Sequence, residues 1–461
     1  MQFFKKITSF SIIAAILVML GIGCKGPDPA AELESKKVVL EYWTVYDDVD
    51  QLNKLIAEYT AERPYIQVNL KQIPPGEFYS RLVEALAEDR GPDIISVQNR
   101  ALGSMISKLA PMPGAVDDTL VTQEGGLVGP GQKIQPLTRI LPTPREIESE
   151  YIRAIYRDVV INGQVYGLPL SVDTMAIFYN KDLLDRSGVA QVPTNWNEFR
   201  TAVRKITKYD AKSAVIQSGT ALGTGNNISG VDDLLYIFFA QSGTNFVTDS
   251  GRPLFQNAGS YEEAPGSANY LLNFYTGFAN KTTEEYSWDE AKPPAIDAFT
   301  AGSVGFFFGY SYHLPVIKAK APQLNFGIIP LFQLDPERPV DVVTYWVQAV
   351  TLKSKHQGEA WGLIDFLTHS SATKSYLDAT GRPTALRAYI DEQKKKSELA
   401  PFVNNVLTAK SWYRGQNYDG ALQAIQTMVH EWLQPVPENV RQGEWKQTIL
   451  ERAAAKIEQT F

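Results

Sequence analysis

The chain has 461 residues, one cysteine and a formal net charge of −7 at pH 7. An acidic chain of this kind argues against nucleic acid and anionic membrane surfaces as partners, because its overall field repels phosphate. A single cysteine excludes an internal disulfide, and the length predicts two domains rather than one core.

The first residues have the pattern of a secretory signal. Lys5 and Lys6 precede an apolar run over residues 7–23, which is short compared with the roughly 20 apolar residues of a spanning helix. Cys24 follows, and the segment resembles the lipobox of bacterial lipoproteins, although Leu20 lies four positions before the cysteine instead of the usual three. We predict a signal peptide over residues 1–23, lipid attachment at Cys24 and a flexible tether over residues 24–36. The alternative is a buried cysteine in a plain anchor helix.

The next segment alternates predicted strands and helices. In chain order these are a strand over residues 37–46, a helix capped by Asp50, a strand over residues 66–70, a helix with Phe78, Leu82 and Leu86 one turn apart, and a strand over residues 93–97. This alternation predicts a parallel sheet, in which ligands bind beyond the carboxyl ends of the strands. Those ends bring an aromatic, an acid, an amide and a guanidinium to one edge.

The remaining chain predicts a long loop followed by a second α/β region. Residues 110–144 are rich in Gly and Pro and have few periodic apolar residues, so we predict a long surface loop or an ornament on the first lobe there. The second region is predicted to contain a helix over 181–188, a helix capped by Thr194, strands over 214–218, 303–310, 325–332 and 345–352, helices over 231–241 and 359–369, and a mostly helical end.

Eight segments resemble, in order, the extracellular solute-binding proteins of ABC importers, in particular the sugar-binding group that includes maltose-binding protein. They are EYWTVY (41–46), GPDII (91–95), VYGLPLSVDTMAIFYNKDLL (165–184), PTNWNEF (193–199), AGSVGFFFGYSY (301–312), FGIIPLF (326–332), AWGLIDFLT (360–368) and GRPTALRAY (381–389). The resemblance covers nearly all of the chain after residue 36, apart from the loop around residues 110–144.

This resemblance implies an α/β fold of the type II periplasmic-binding-protein kind, with two hinged lobes that each hold a central mixed β-sheet flanked by helices. The implied lobes are residues 37–172 plus 349–384 and residues 177–345 plus 388–461, with crossovers near residues 173–176, 346–348 and 385–387. Asp173 and Thr174 interrupt an apolar segment at the first crossover, so we expect them to face the cleft between the lobes. Alternatively, Asp173 caps a turn.

A sugar ring needs a flat aromatic surface and hydrogen-bonding groups in its plane. The candidates on the first lobe are Trp43, Tyr46, Asp47, Asn99 and Arg100. The resemblance implies a stacking aromatic at Trp43 and a hydroxyl-binding charge at Arg100, and Asn99 stands where many relatives have Asp. We expect the cleft-facing Asp173 of the first crossover to join these ligand-binding residues.

Further candidates come from the second lobe and the second crossover. The resemblance implies a stacking tryptophan at Trp412, and Tyr310 and Tyr312 lie near a position where relatives have Trp. Trp346 is another ligand-binding candidate, and Trp288 is a further possibility. For each aromatic residue the alternative is packing in a core.

Enzymatic sites are not indicated. The four histidines lack metal-ligand spacing, the stretch GTALGTGNNISG lacks the Lys-Ser/Thr end of a phosphate loop, and no Gly-x-Ser-x-Gly elbow stands out. Asp47 and Asp173 could supply the carboxylate pair of a glycoside hydrolase. That class, a binding protein for a non-sugar solute and a sensory co-receptor remain alternatives. We predict a carbohydrate ligand, ABC permease subunits and a lipid-anchored position outside the cytoplasm for a monomer without metal or cofactor.

Overall fold

The computed structural model describes residues 37–126, 129–257, 264–369 and 371–461, with side chains omitted for residues 123–132. The predicted signal peptide, Cys24 and the tether lie outside these described residues. Among the helices of the described part, none has the length and hydropathy needed to cross a bilayer.

Strands and helices follow one another along three segments of the chain, residues 37–172, 173–342 and 343–461. Up to residue 172 they are β1 Val38–Thr44, α1 Val49–Ala61, β2 Ile66–Gln72, α2 Pro75–Ala87, β3 Ile94–Gln98, α3 Leu102–Met105, β4 Leu109–Ala110, β5 Ala115–Gly126, β6 Gly129–Ile140, α4 Pro144–Glu150, α5 Arg153–Val159, β7 Val160–Ile161, β8 Gln164–Val165 and β9 Leu168–Pro169. From residue 173 to 342 they are β10 Asp173–Thr174, β11 Ala176–Asn180, α6 Lys181–Arg186, α7 Trp196–Ile206, β12 Lys208–Tyr209, β13 Val215–Thr220, α8 Val231–Gln241, α9 Ala268–Gly277, α10 Ala295–Thr300, β14 Val304–Gly309, α11 His313–Lys320 and β15 Phe326–Pro330. The rest are β16 Val343–Thr344, β17 Trp346–Thr351, α12 Gln357–His369, α13 Ser371–Thr380, α14 Ile390–Gln393, α15 Ala400–Val403, α16 Tyr418–Trp432 and α17 Gln442–Glu458.

The first sheet has the strand order β2-β1-β3-β17-β4, and β9 also pairs with β17. Strand β1 is parallel to both β2 and β3, as the alternation of strands and helices predicted. Strand β17 returns antiparallel to β3, which makes the sheet mixed. The carboxyl ends of β1 and β3 therefore lie at one edge, and the segments that follow these strands start there.

The second sheet has the strand order β12-β13-β14-β11-β15 and is also mixed. Strand β14 is parallel to β13 and antiparallel to β11, and every residue of β14 is buried. Its Phe306 and Phe308 pack with helix α7, where Trp196 stacks parallel to Phe308 at 5.9 Å between ring centroids, whereas Phe307 on the other face contacts Phe299. The buried apolar faces on both sides fix this sheet as the centre of a separate core.

Two hydrophobic cores divide the chain into a first lobe, built around β1–β3, and a second lobe, built around β11–β15. The chain crosses between the lobes three times, and each crossing is called a passage. Val172 is in the first core and Met175 in the second, so the first passage runs through β10. Val342 packs in the second core and Val343 in the first, which puts the second passage slightly before the predicted 346–348. Strands β10 and β16 pair with each other, so these two passages run side by side.

The third passage lies later in the chain than the prediction of residues 385–387. Val406 and Ala409 still pack in the first core, while Phe402 and Trp412 pack in the second. The chain thus contacts both cores between residues 402 and 412. The position of this passage depends on which core each apolar side chain enters, and that is not visible in the local sequence.

Two predicted helix caps are wrong by one or two positions. Asp48, not Asp50, caps α1 and accepts a hydrogen bond from the backbone of Gln51 at 3.0 Å. Asn195, not Thr194, caps α7. In each case the cap is the polar residue directly before the first helical residue, where its side chain can reach an unpaired backbone N–H.

Of the two alternatives for residues 110–144 the surface loop is wrong, because most of the segment forms the long antiparallel hairpin β5–β6, an ornament on the first lobe. At its base Asp118 accepts two hydrogen bonds from Arg63, at 2.9 and 2.7 Å, and both side chains are buried. Arg139 bridges the same carboxylate at 3.4 Å and Asp365 of α12 at 3.3 Å. These ion pairs form a charge network that attaches the base of the hairpin to the first lobe.

His369, at the end of α12, extends this charge network toward α4. It contacts Asp365 and Glu150, and its ring stacks on Tyr151. The hydrogen bond to Asp365, followed by the one to Glu150, outweighs partial burial and raises the pKa of His369 to about 9.

Candidate functional site

Two cavities lie where the lobes meet. The cleft cavity, of about 280 Å³, is lined by residues of both lobes and of the β10 and β16 passages. The helix cavity, of about 390 Å³, lies along the loop before α8. Both are lined by Gln98, Tyr312 and Thr344, so the two cavities adjoin at these residues.

Aromatic side chains from both lobes line the cleft cavity. Tyr46 follows β1 and is 48% exposed, and its ring centroid lies 5.2 Å from that of Trp346 at the start of β17. Tyr79 of α2 and Tyr312 of the second lobe are 38% and 39% exposed. Large aromatic rings that remain exposed inside a cavity are available to cover the apolar face of a ligand.

Asp47 supplies a carboxylate on the first-lobe side of the cleft cavity. Its Oδ2 accepts hydrogen bonds from Thr44 Oγ1 at 2.6 Å, from Ser96 Oγ at 2.8 Å and from Gln348 Nε2 at 3.2 Å. The residue is buried, and its donors come from β1, β3 and β17. Three strands of the first sheet therefore fix the orientation of this carboxylate.

Asp173 lines the same cavity from the first passage. Its oxygens accept hydrogen bonds from the Ser311 backbone at 2.9 Å, from Ser311 Oγ at 2.6 Å and from the Tyr312 backbone at 3.2 Å. Burial raises the pKa of Asp173 to about 6, and the hydrogen bonds from Ser311 oppose the shift. These contacts cap the turn over residues 310–312, as the alternative interpretation of Asp173 expected. Thr174 is buried and donates to the Phe402 backbone.

Arg100 lines the helix cavity but makes its ionic contacts with the second lobe. Its guanidinium lies 3.1 Å from Asp232 and 2.5 Å from Asp233, both in the first turn of α8. Tyr418 accepts a further hydrogen bond at 2.8 Å. Tyr310 also lines this cavity and donates its hydroxyl hydrogen to Asp233.

Three predicted ligand contacts line neither of the two cavities. Trp43 is half-buried and packs against the first core. Asn99 is buried and donates to Asp158 at 3.2 Å and to Ser411 at 3.1 Å. Trp412 is 6% exposed, and its indole nitrogen donates to Asp232 at 3.1 Å. Their predicted role in ligand binding thus gains no support from their positions. Trp288, the further possibility, is buried in the second core.

Several cleft residues were missed in the sequence. Gln98 ends β3 immediately before the predicted pair at 99 and 100, so its position at the strand end was the available signal. Arg382 lies in the motif GRPTALRAY and donates to the backbone oxygen of Tyr46 at 2.6 Å. Tyr79 and Ser311 also line the cavity, but no local pattern distinguished them from ordinary surface residues.

The chemistry of the cleft cavity is that of recognition by stacking and hydrogen bonding. Aromatic rings, two carboxylates, an amide and one guanidinium converge there. Within the described ranges, no three His, Cys, Asp or Glu side chains cluster as metal ligands would.

Two α/β lobes with a cleft between them define a two-lobed binding protein, and the comparisons identify its family. Residues 46–374 match the model of the bacterial extracellular solute-binding protein family. The chain therefore belongs to that family.

Individual relatives are distant in sequence but similar over most of their length. The multiple sugar-binding protein of Streptococcus mutans is 23% identical over 427 residues, which cover 91% of each chain. The cyclic α-maltosyl-1,6-maltose binding protein from Arthrobacter globiformis has a TM-score of 0.68 at 17% identity, over 92% of this chain and all of that one. A solute-binding protein of an ABC transporter from Thermotoga lettingae, bound to α-D-tagatose, has a TM-score of 0.65 at 19% identity. The match covers 92% of this chain and 99% of that one. These structures share the fold of this chain.

Proposed function

We propose that this protein captures a carbohydrate in the cleft cavity, outside the cytoplasm, and delivers it to the permease subunits of an ABC importer. The observation that carries the proposal is the lining of that cavity, where Tyr46, Trp346 and Tyr312 meet the polar groups of Asp47 and Arg382. Rings can cover the C–H faces of a pyranose while carboxylate and guanidinium groups pair with its hydroxyls. The names of the relatives support the same ligand class, since the Streptococcus mutans protein is named for sugars.

We propose binding without catalysis. A glycoside hydrolase needs one carboxyl group free to donate a proton and a second free to act as nucleophile or base. Asp47 is held by three donors from its own sheet, and Asp173 by three donors of the turn over residues 310–312. These donors stabilise the ionised form of each carboxylate and oppose its use as a proton donor, while each carboxylate keeps acceptor capacity for a sugar hydroxyl, which favours a binding site over a hydrolytic one.

A thermal-shift screen of the purified protein against a carbohydrate panel tests the ligand class. A sugar present at a hundredfold excess over its Kd should stabilise the folded state by about 2.7 kcal/mol. Amino acids, short peptides and polyamines serve as the comparison panel. A response confined to that second panel would refute the carbohydrate assignment, and it would leave the family membership intact.

The proposed site of membrane attachment is Cys24, the only cysteine of the chain. Two or three acyl chains on that residue would anchor the protein stably, whereas a single chain would not. Cys24→Ala should abolish labelling by a fatty-acid analogue in cells that export the protein. Persistent labelling of the variant would place the lipid elsewhere.

A further inference from the structure

Arg100 connects the two lobes through the most buried ion pairs of the cleft region. It lies just after β3 of the first lobe, while Asp232 and Asp233 begin α8 of the second. One guanidinium nitrogen lies 2.5 and 2.6 Å from the two oxygens of Asp233, and the other lies 3.1 Å from Asp232. Arg100 is 3% exposed and each Asp 1% exposed. Contacts of this kind form only when the two lobes meet.

The electrostatics of the cluster keep Arg100 charged. Burial alone would lower the pKa of its guanidinium, but Asp233, Tyr418 and Asp232 together raise it. The cluster holds two carboxylates against one guanidinium, and Trp412 and Tyr418 donate hydrogen bonds to Asp232. Removing the guanidinium would leave two buried carboxylates without their cation, which is strongly unfavourable.

The same cluster fixes an aromatic surface of the cleft. Tyr310 donates its hydroxyl hydrogen to Asp233, and its ring stacks on Tyr312 at 5.4 Å between centroids and 15° between planes. Tyr312 is the member of the pair that reaches the cleft cavity. A chain of contacts therefore runs from Arg100 through Asp233 and Tyr310 to a ring that faces the ligand space.

The backbones of the two lobes also approach closely beside Arg100. A Cβ atom added to Gly103 in α3 would lie 2.3 Å from the carbonyl oxygen of Gly415 in the second lobe. This distance is too short for any side chain, and the obstructing atom is backbone. The packing at Gly103 therefore depends on the same approach of the lobes as the ion pairs of Arg100.

We propose that Arg100 is a latch between the lobes and a positioning residue, which holds the closed arrangement through Asp232 and Asp233 and orients Tyr312 through Tyr310, instead of binding solute directly. The effect on affinity rests on the proposed function, whereas the effect on closure does not. Loss of the latch should open the lobes and speed the release of solute, because the closed state then loses its ionic contacts.

The test compares Arg100→Met, Asp233→Asn and the double variant with the wild type. Small-angle scattering without solute should show a larger radius of gyration for Arg100→Met and for Gly103→Ala, which separates the lobes by steric contact alone. Binding of the best sugar from the panel should weaken at least tenfold in Arg100→Met and in Asp233→Asn, mainly through faster dissociation. The double variant should bind the sugar no more weakly than the worse single variant, because both substitutions break the same contact between Arg100 and Asp233.

Arg157→Met is the matched control. Arg157 forms the other type of contact between the lobes, an exposed pair with Asp249 at 3.4 Å, so the same charge change should leave both shape and affinity nearly unchanged. The double variant also guards against misfolding, because Asp233→Asn removes one of the carboxylates that Arg100→Met would leave without a cation.

Two results would overturn the latch. If Arg100 bound solute directly, Arg100→Met would bind the sugar more weakly, whereas Asp233→Asn would keep its affinity. Neither variant would then change shape in the absence of solute. An unchanged radius of gyration in Arg100→Met, while Gly103→Ala shows the increase expected for opened lobes, would likewise refute it. If no sugar binds at all but both variants still open, the proposed function fails and the latch stands.

Discussion

Replacing Asp173 by Ala decides whether this residue serves the ligand or the turn over residues 310–312. The substitution removes the acceptor for two backbone N–H groups, the buried one of Ser311 and the partly buried one of Tyr312. Each buried donor left without a partner costs about 1–3 kcal/mol. The variant also loses a charge whose burial is unfavourable, since a pKa of about 6 instead of 3.8 corresponds to roughly 3 kcal/mol at neutral pH. The two unpaired donors cost about 2–6 kcal/mol and the loss of the buried charge offsets roughly 3 kcal/mol, so at pH 7 we expect a net effect between a gain of about 1 and a loss of about 3 kcal/mol in the unfolding free energy, measured without ligand by denaturant titration.

The pH dependence of the same residue gives an independent check. The folded-state pKa of Asp173 is raised, so the folded protein binds this proton more tightly than the unfolded chain. Wild type should gain stability relative to Asp173→Asn as pH falls through about 6, and the gain should be complete only below the ordinary pKa of 3.8. At about pH 4 the folded-state carboxyl is protonated, so its charge no longer offsets the lost acceptor. Unchanged stability of Asp173→Ala at that pH without ligand, together with a large loss of affinity, would refute the cap and support a direct ligand contact.

Three further predictions follow from the aromatic, ionic and titrating groups. Tyr46→Ala should weaken sugar binding more than tenfold by calorimetry, because it removes an aromatic face of the cleft, whereas Tyr270→Ala, an exposed tyrosine outside the cleft cavity, should not. Arg63→Met should destabilise the protein by about 3–5 kcal/mol, because it leaves Asp118 buried without its bidentate partner. Limited proteolysis should then cut the hairpin faster than in the wild type. A hairpin that is not cut faster would contradict this prediction. The stabilisation from His369, whose folded-state pKa is about 9, should be present below pH 6.5 and lost as pH rises through 9, and His369→Gln should flatten that decline in a thermal-unfolding series.

The sequence predicted the parts of the fold that depend on local pattern. The alternation of strands and helices up to residue 97 and the parallel pairing of β1 with β2 and β3 are confirmed, because apolar periodicity and the right-handed crossover rule act over short distances. The hairpin β5–β6 was missed because Gly and Pro obscure its alternation, and its base is fixed by Arg63, which follows α1 and is distant in sequence. The cap of α1 was misplaced because Asp48 and Asp50 are both suitable residues, and only backbone geometry distinguishes them.

The site was harder to predict because it depends on how the lobes face each other. Tyr46 and Asp47 follow a strand end and do line the cleft cavity, as the edge rule for parallel sheets expects. Arg100 follows the neighbouring strand end, yet its guanidinium reaches the second lobe, whose acidic helix start lies more than a hundred residues away in sequence. Trp412 likewise donates to Asp232. No periodicity in either segment contains this information.

The three passages between the lobes meet at one residue, Asp341. Its carboxylate accepts hydrogen bonds from the backbones of Met175 at 3.3 Å and Val342 at 2.8 Å, and its backbone oxygen accepts one from Lys410 at 3.0 Å. A bend in one passage must therefore move the other two, which favours rotation of the lobes as rigid bodies over separate local changes. Such a rotation would leave both cores intact but would change the distance from Arg100 to α8. The turn over residues 310–312 is held both by the first passage and by that helix, so closure and the position of the Tyr312 ring in the cleft cavity change together.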